Sequence, residues 1–200
     1  MLVDRLGGPV HSKTARPVDQ VVVLVVGRPA SGKSTISELV AERWGLPIVA
    51  KDAVKELLFD LLGVGDQAWS ERLGRASFAL LDYIIELQLR TGSSFIIDAA
   101  YNAAIESAKF QAWQEKYGFT AIQVHCTASD DELVRRFTQR ERDGLRHPGH
   151  ADNERTDGFR ASLADGRAEV LDLRGSVISC DTGAVEAVDD ALAQLGQIIV

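Results

Sequence analysis

The stretch VVVLVVGRPASGKST, residues 21–35, decides the fold of this chain. Its first six residues are apolar, which is typical of a strand buried on both faces of a parallel sheet. The remaining residues, GRPASGKST, match the pattern G-x-x-x-x-G-K-[ST] in full. We predict that a helix follows from Lys33 to Arg43. Backbone N–H groups at the start of such a helix face an anion, and the helix dipole also favours negative charge there. The stretch therefore predicts a phosphate-binding loop.

The residue types at these positions of the loop can be explained by the chemistry of phosphate binding. Glycine at positions 27 and 32 lets the backbone adopt conformations closed to other residues and approach a phosphate closely. Lys33 can reach the β- and γ-phosphates of a nucleotide, and Ser34 can offer its hydroxyl to Mg²⁺. Thr35 is expected to touch the α-phosphate. The predicted nucleotide-binding residues of the loop are Gly27, Ala30, Ser31, Gly32, Lys33, Ser34 and Thr35.

Strands alternate with helices along the rest of the chain. Further strands are predicted at residues 46–50, 94–98, 120–125 and 176–179. This alternation requires parallel crossovers, so we expect an α/β three-layer sandwich with a five-stranded, mainly parallel sheet. We expect one domain over residues 20–200, preceded by a flexible leader over residues 1–19. In such sheets, ligands bind at the carboxyl ends of the strands.

Composition narrows the function classes. The chain has 200 residues, a net charge of −7 and no long basic run. This argues against a nucleic-acid partner, because binding to a phosphate backbone needs clustered Lys and Arg. The only two cysteines, Cys126 and Cys180, end apolar runs and are interpreted as reduced, packed thiols. The N-terminus lacks a signal-peptide pattern, and no apolar run approaches the ~20 residues of a membrane-spanning helix. We therefore expect a cytoplasmic protein without a membrane partner.

Two ionisable residues follow the second predicted strand. Asp52 lies at its carboxyl end and at the start of a helix, where a carboxylate could orient an acceptor hydroxyl and take its proton. The spacing leaves open that Asp52 only caps the helix. Lys55 lies one turn later on the same side of the helix. It could contact an anionic or polar acceptor, or it could be a solvated surface lysine.

The third predicted strand ends in Asp98. An aspartate at this place beside a phosphate loop supports Mg²⁺ or its water shell. Tyr101 and Asn102 follow closely and are expected to project into the acceptor side of the cleft. The alternative is that both are loop residues without a substrate contact.

An arginine-rich, polar segment follows the fourth strand and predicts a lid over about residues 136–157. Arg136 and Arg140 share one helical face, from which they could stabilise charge on a transferred phosphate. Arg142, which with Arg146 continues the basic run, could stack on an adenine. The alternative for the group is a solvated helix with acidic partners. Because residues 140–157 are poor in apolar side chains, we expect them to lie outside the core.

Two shorter motifs are less specific. HPGHAD, residues 147–152, holds two histidines and an aspartate, but Pro148 and Gly149 prevent a regular helix and no further ligand cluster accompanies them. We interpret it as a polar loop or a lid contact in preference to a metal site. DTG, residues 181–183, is expected either near the base of a nucleotide or in a simple turn.

Four of these motifs together resemble the P-loop kinase group that includes polynucleotide 5′-kinases, chloramphenicol phosphotransferases and zeta-type toxins. They are GRPASGKST, KDAVK, IIDAAYN and L-x-x-R-x-x-x-R, and the resemblance spans about residues 21–181. It implies a P-loop NTPase fold of the nucleoside-kinase type with a mobile lid. It further implies that Asp52 is the general base and that Arg136 and Arg140 are the lid arginines. Lys55 has the place of a basic residue that holds the acceptor, but that residue is usually Arg, which binds phosphate through two parallel hydrogen bonds, whereas Lys is a point charge.

These features predict an ATP-dependent phosphotransferase that uses Mg²⁺ and moves the γ-phosphate to a hydroxyl group of a small-molecule acceptor. The predicted catalytic residues are Lys33, Asp52, Arg136 and Arg140. The predicted metal ligands are Ser34 and Asp98, and the predicted acceptor contacts are Asp52, Lys55, Tyr101 and Asn102. The alternatives are a polynucleotide 5′-hydroxyl kinase, an ATP-binding regulatory ATPase, and a toxin-like kinase acting on a sugar nucleotide. The sequence identifies neither the acceptor nor the oligomeric state.

Overall fold

A computed structural model of the chain describes residues 20–144, 147–150, 156–164 and 169–199. The predicted leader over residues 1–19 lies outside the described residues, as do Arg146 and the end of the HPGHAD segment, Ala151 and Asp152. The phosphate loop and the ends of the second and third strands all lie within these ranges.

Five parallel strands form one sheet in the order β2–β3–β1–β4–β5. Their bounds are β1 Val21–Val26, β2 Ile48–Ala50, β3 Phe95–Asp98, β4 Thr120–Thr127 and β5 Gly175–Asp181. β1 is central, pairs with β3 and β4, and is buried along nearly its whole length, as its continuous apolar sequence predicts. The prediction of a five-stranded parallel sheet is confirmed.

The helices that connect the strands cover both faces of this sheet. Their bounds are α1 Lys33–Trp44, α2 Lys51–Leu62, α3 Gln67–Thr91, α4 Ala103–Tyr117, α5 Asp130–Arg142, α6 Thr156–Leu163 and α7 Val185–Ile199. Among the described helices, none combines the length and the apolar character needed to cross a bilayer.

A hydrophobic cluster on each face of the sheet creates the three layers. On one face, α3 and α4 pack through residues such as Ile85 and Phe110. On the other face, α1 and α7 pack through residues such as Val40 and Leu195. Removing this apolar surface from water is the main favourable term in folding. Because the strands are parallel, the phosphate loop and the ends of β2 and β3 meet at one edge of the sheet.

The arginine-rich segment contains two features that the sequence analysis did not predict. Thr156–Leu163 forms α6, whose Phe159 is buried. Pro148–His150 forms a short 3-10 turn in which Gly149 and His150 are buried. The expectation that residues 140–157 lie outside the core is therefore wrong for this turn. Gly149 has no side chain to prevent close packing, and His150 has a carboxylate partner.

Candidate functional site

At two positions of the loop between β1 and α1, the backbone has a conformation that only glycine adopts easily. Gly27 has φ of 146° and Gly32 has φ of 84°. A Cβ atom on Gly27 would collide with the carbonyl oxygen of Cys126 in β4 and lie 2.7 Å from Ser31 Oγ. Gly32 is the N-cap of α1, so the unpaired N–H groups of the first helical turn face the space above the loop. This is the geometry of an anion site at a helix N-terminus.

Ala30 has φ of 64°, a left-handed value that costs an L-residue roughly 1–2 kcal/mol. Its methyl group is buried against Leu133 and Phe137 of α5 and Phe159 of α6. The two phenylalanine rings stack with their centroids 4.3 Å apart. The phosphate loop is thereby packed against α5 and α6.

Lys33 begins α1, and its Nζ donates to the carbonyl oxygen of Arg28 at 2.8 Å. Burial lowers the pKa of Lys33, while the carboxylates of Asp98 and Asp52 raise it and Arg140 lowers it further. The structure therefore brings two predicted acidic residues and one predicted lid arginine into electrostatic contact with the Lys33 ammonium.

Asp98 ends β3 and is buried, and Ser34 hydrogen-bonds its carboxylate. Burial raises the pKa of Asp98. The Lys33 charge and the Ser34 hydrogen bond lower it, but burial has the larger effect, so the pKa is raised from its usual value. Mg²⁺ prefers oxygen ligands such as these and usually binds through one or two carboxylates together with substrate phosphates and waters. The Ser34–Asp98 pair fits the predicted metal site, whose occupancy stays a prediction.

The loop also contains a buried polar atom that fits a phosphate. Ser31 is buried, and within the described part of the chain no group hydrogen-bonds its Oγ. A buried hydroxyl without a partner costs about 1–3 kcal/mol, which an incoming phosphate oxygen would relieve. Thr35, the predicted α-phosphate contact, lies exposed in the first turn of α1.

Asp52 shares a cavity of about 610 Å³ with Lys33 and Asp98. It lies in the first turn of α2, but the N-cap of that helix is Ala50 and no side chain caps it. The alternative that Asp52 only caps the helix is therefore wrong. Its side chain is 54% exposed and pairs with Lys51 at 2.9 Å, which leaves the carboxylate accessible from the cavity.

Lys55 lies one turn after Asp52 and lines the same cavity. It is buried, its Nζ donates to Ser70 Oγ of α3 at 2.9 Å, and the Nζ lies 5.3 Å from the centre of the Phe59 ring. The alternative of a solvated surface lysine is therefore wrong. Its ammonium is held at a fixed place on the α2 side of the cavity.

Tyr101 and Asn102 both have structural contacts within the chain. Tyr101 is only 1% exposed and packs edge-on against Phe110 in the core, because its aromatic ring gains more from burial than from solvent. Asn102 caps α4, accepting from the N–H of Ala104 at 3.1 Å. In the part of the chain that the structure describes, neither residue lines the cavity. The burial of Tyr101 argues against its predicted acceptor contact, and the contact of Asn102 stays a prediction.

Arg136 reaches the phosphate loop through Thr182, which follows β5. Its guanidinium donates to Thr182 Oγ1 at 2.8 Å and to the Thr182 carbonyl oxygen at 2.9 Å, and it pairs with Glu132 at 2.6 Å. The Thr182 hydroxyl in turn donates to the carbonyl oxygen of Ser31 at 2.9 Å. Both Arg136 and the DTG segment therefore lie beside the loop, while Arg140 lines the cavity itself.

Arg142, the predicted adenine contact, lies elsewhere. It lines a second cavity, of about 640 Å³, between α5 and α6, together with Arg135 and Arg160. In the described ranges, no residue of the phosphate loop lines that cavity. Arg142 therefore lies on a different helix face from Arg136, six residues earlier in α5, and its predicted stacking on adenine stays a prediction.

The turn at residues 147–150 contacts α2 beside the cavity. His147 Nε2 lies 3.1 Å from Asp60 Oδ1, and His150 Nε2 lies 3.0 Å from Glu56 Oε1. Glu56 and His150 also line the cavity that holds Asp52. Glu56 is not among the residues predicted from the sequence, although its four-residue spacing from Asp52 was a usable signal. The sequence could not place His150, because the partner of His150 is 94 residues away in the chain.

Comparison with known proteins identifies a family and a fold. The AAA_33 family, described as an AAA domain, matches residues 22–165. A structure from Chloroflexus aurantiacus J-10-fl, described as a "putative kinase", is 31% identical with a TM-score of 0.81, covering 92% of this chain and 100% of that one. A sugar kinase from Janibacter sp. HTCC2649 is 19% identical with a TM-score of 0.57, covering 88% and 95%. A gluconokinase from Sinorhizobium meliloti 1021 is 16% identical with a TM-score of 0.55, covering 89% and 93%.

The sugar kinase and the gluconokinase, at 19% and 16% identity, show only that their fold is the same as that of this chain. No curated protein is similar enough to this chain to count as a match. The parallel sheet, the phosphate loop and these neighbours agree on one architecture, the α/β fold of P-loop kinases.

Proposed function

This chain belongs to the AAA_33 family, and from that premise we propose that it is an ATP-dependent phosphotransferase that moves the γ-phosphate of ATP to a hydroxyl group of a small molecule. The family match over residues 22–165 supports nucleotide binding. The 31% identical structure that is described as a kinase supports phosphoryl transfer as the reaction.

One observation carries the proposal: the phosphate loop and Asp52 line the same cavity. Lys33 and Asp98 lie on one side of it, and Asp52 and Lys55 lie on the α2 side. In phosphoryl transfer the reacting atoms must approach to about 3–3.5 Å, which requires both binding sides to share one space. The catalytic work is then mainly positioning and charge stabilisation.

In the proposed reaction, the acceptor oxygen attacks the γ-phosphorus while the bond from that phosphorus to the β–γ bridging oxygen breaks. The acceptor proton moves to a carboxylate oxygen of Asp52, and the bridging oxygen leaves with ADP, carrying the electron pair of the broken bond. Lys33 and Arg140 stabilise the charge on the transferred group. A Mg²⁺ ion at Ser34 and Asp98 would neutralise further phosphate charge.

The test is transfer of label from [γ-³²P]ATP, with Mg²⁺, to a panel of monosaccharides, polyols, hydroxy acids and 5′-hydroxyl oligonucleotides. We expect Asp52→Asn to lower transfer by about 10²–10⁴-fold, because a positioned general base contributes that much, while ATP affinity by calorimetry changes less than about twofold. The matched control is Asp189→Asn on the exposed side of α7, which should leave both quantities unchanged.

Full transfer activity in Asp52→Asn contradicts the proposed mechanism. Transfer only to the oligonucleotide end would identify a polynucleotide kinase instead. Hydrolysis without any transfer, together with a nucleotide-dependent complex in pull-downs, would identify a regulatory ATPase.

A further inference from the structure

The turn at residues 147–150 fits one place on α2. A Cβ atom on Gly149 would lie 2.6 Å from Cδ1 of Phe59, so only glycine allows the turn to approach this ring. The ring of His147 stacks on Phe59 with centroids 5.3 Å apart, and the ring of His150 meets it edge-on at 5.8 Å. His150 is 3% exposed in this position. The contact therefore fixes His150 at the wall of the cavity.

His150 and Glu56 form a polar pair on the α2 side of the cavity. His150 Nε2 and Glu56 Oε1 are 3.0 Å apart, and both residues line the cavity with Asp52. Glu56 lies four residues after Asp52 on α2, and residues at this spacing lie on the same helix face, with Cβ atoms about 5–6 Å apart. A molecule whose hydroxyl group meets Asp52 would therefore meet the Glu56–His150 pair about one helical turn away.

Charges of both signs alternate along this side of the cavity. Lys51 pairs with Asp52 at 2.9 Å, Lys55 is buried beside them, and Glu56 pairs with His150. The charges of Lys51 and Lys55 offset those of Asp52 and Glu56, so an ionised substituent here would meet repulsion from one neighbour as well as attraction to another and would gain little net attraction. A hydroxyl group can donate to a carboxylate and accept from an ammonium or an imidazole at the same time. Mixed charges of this kind therefore select an uncharged, hydroxyl-bearing group.

Resting on the phosphotransferase function proposed above, we propose that Glu56 and His150 bind a second hydroxyl group of the acceptor. The acceptor class is then a small, uncharged, polyhydroxylated compound. One hydroxyl group lies at Asp52 and receives the phosphate, and another lies against the Glu56–His150 pair. The volume agrees with a compact molecule, because about 610 Å³ must hold the transferred phosphate as well as the acceptor.

The experiment measures ADP release with Mg²⁺ and ATP, using neutral monosaccharides and polyols as probes. Each probe is compared with its deoxy analogue, its sugar acid and its amino-sugar. We expect the wild-type protein to use a neutral compound at least about tenfold better in kcat/KM than the matched analogues, since one hydrogen bond to a charged group accounts for roughly that factor.

The decisive variants change Glu56, whose side chain is 40% exposed, and thermal unfolding of each variant checks that the fold is kept. Glu56→Ala should raise the KM for the neutral acceptor about tenfold or more with little change in kcat, and Glu56→Gln should restore part of that loss. Glu56→Gln should also improve use of the sugar acid relative to the neutral compound, a change that a purely structural role would not produce. Glu115→Gln, on the exposed face of α4, is the control.

The proposal is overturned if the wild-type protein prefers the sugar acid or amino-sugar, if no neutral hydroxyl compound is phosphorylated, or if both Glu56 variants keep the wild-type KM and preference. Asp52→Asn in the same assay separates the two proposals. If Asp52→Asn is inactive and the Glu56 variants behave as wild type, only the acceptor assignment fails. If Asp52→Asn keeps full activity, the phosphotransferase mechanism fails.

Discussion

The two sides of the cavity are built in different ways. The phosphate side comes mainly from one continuous segment, the loop from Gly27 to Ser34, and it presents backbone N–H groups at the start of α1. The acceptor side combines the first turns of α2, Phe78 of α3 and His150 of the short turn. It presents side chains that are far apart in the chain.

The contrast shows where each kind of recognition is encoded in the chain. A phosphate is bound by local backbone geometry, so the residues that bind it must be adjacent and follow a fixed spacing. An acceptor is bound by side chains that tertiary packing brings together, so spacing along one helix predicts only some of them. The two sides should therefore respond separately to mutation, and the following changes test that separation.

Lys33→Met should have the largest effect and should act on the phosphate side. We expect turnover to fall by about 10²–10³-fold, because a positioned charge for the transferred phosphate is lost, and ATP affinity to fall with it. The free energy of unfolding without nucleotide should not decrease, since burial already lowers the pKa of Lys33 and disfavours its charge. Calorimetry, ADP release and thermal unfolding measure the three quantities.

The control for this variant is Lys116→Met, a lysine of α4 whose side chain is 57% exposed. It should match the wild-type protein in all three measurements. Unchanged ATP affinity and turnover in Lys33→Met would contradict the proposed role of the phosphate loop in ATP binding and transfer.

Gly149→Ala should act on the acceptor side alone. The added methyl group would meet the Phe59 ring, and overpacking of this kind costs about 1–3 kcal/mol. We expect a higher KM for the acceptor and a lower Tm, with ATP affinity unchanged. Gly158→Ala in α6 is the matched control, because nothing lies within 4 Å of its added Cβ. An equal loss of ATP affinity in Gly149→Ala would show that the two sides are not separable.

Asp98→Asn tests the phosphate side of the cavity through the pH dependence of the Tm. Burial raises the pKa of Asp98, so its charge costs stability above the folded-state pKa and costs nothing below the unfolded value of 3.8. We expect Asp98→Asn to raise the Tm of the nucleotide-free protein at neutral pH, and this advantage to disappear as the pH falls to about 4. Turnover with Mg²⁺ should fall at the same time.

The measurement for Asp98→Asn is thermal unfolding of both proteins from pH 4 to pH 8 in the absence of Mg²⁺. A lower Tm than wild type at neutral pH would show that the Asp98 charge stabilises the fold through Lys33. In that case Asp98 would have a structural role, and its buried carboxylate would no longer support the predicted Mg²⁺ site.

Ala30→Gly should have the smallest net effect. Glycine removes a left-handed strain of roughly 1–2 kcal/mol, but it loses about 0.8 kcal/mol of methyl burial and roughly 0.5–1 kcal/mol of backbone entropy. We expect the free energy of unfolding to stay within about 1 kcal/mol of wild type. Ala30→Val, in which the β-branched side chain resists this φ, should be clearly less stable. Equal stability of all three proteins in denaturant unfolding would contradict the strain at Ala30.

Much of the fold could be predicted from the sequence because its signals are local. The apolar run of β1 and the strands ending at Asp98 and near Cys126 indicated a parallel sheet, and the sheet is parallel throughout. The helix α6 was missed because its apolar residues, Phe159 and Leu163, are too few to stand out in a polar segment.

The site could be predicted only in part, for the same physical reason. Lys33 and Asp52 follow strands and Asp98 ends one, and the parallel sheet brings the strand ends to one edge. Packing buries Tyr101 in the core, and helix phase directs Arg142 to the second cavity; spacing alone gives neither orientation.

The phosphate loop and the parallel sheet follow from the amino-acid sequence, because backbone geometry and apolar runs are properties of neighbouring residues. Only the tertiary structure decided that Lys55 is buried beside Phe59 and that His150 meets Glu56 across 94 residues. Those contacts form only when the turn, α2 and α3 pack together, and they give the acceptor side of the cavity its charge and its shape.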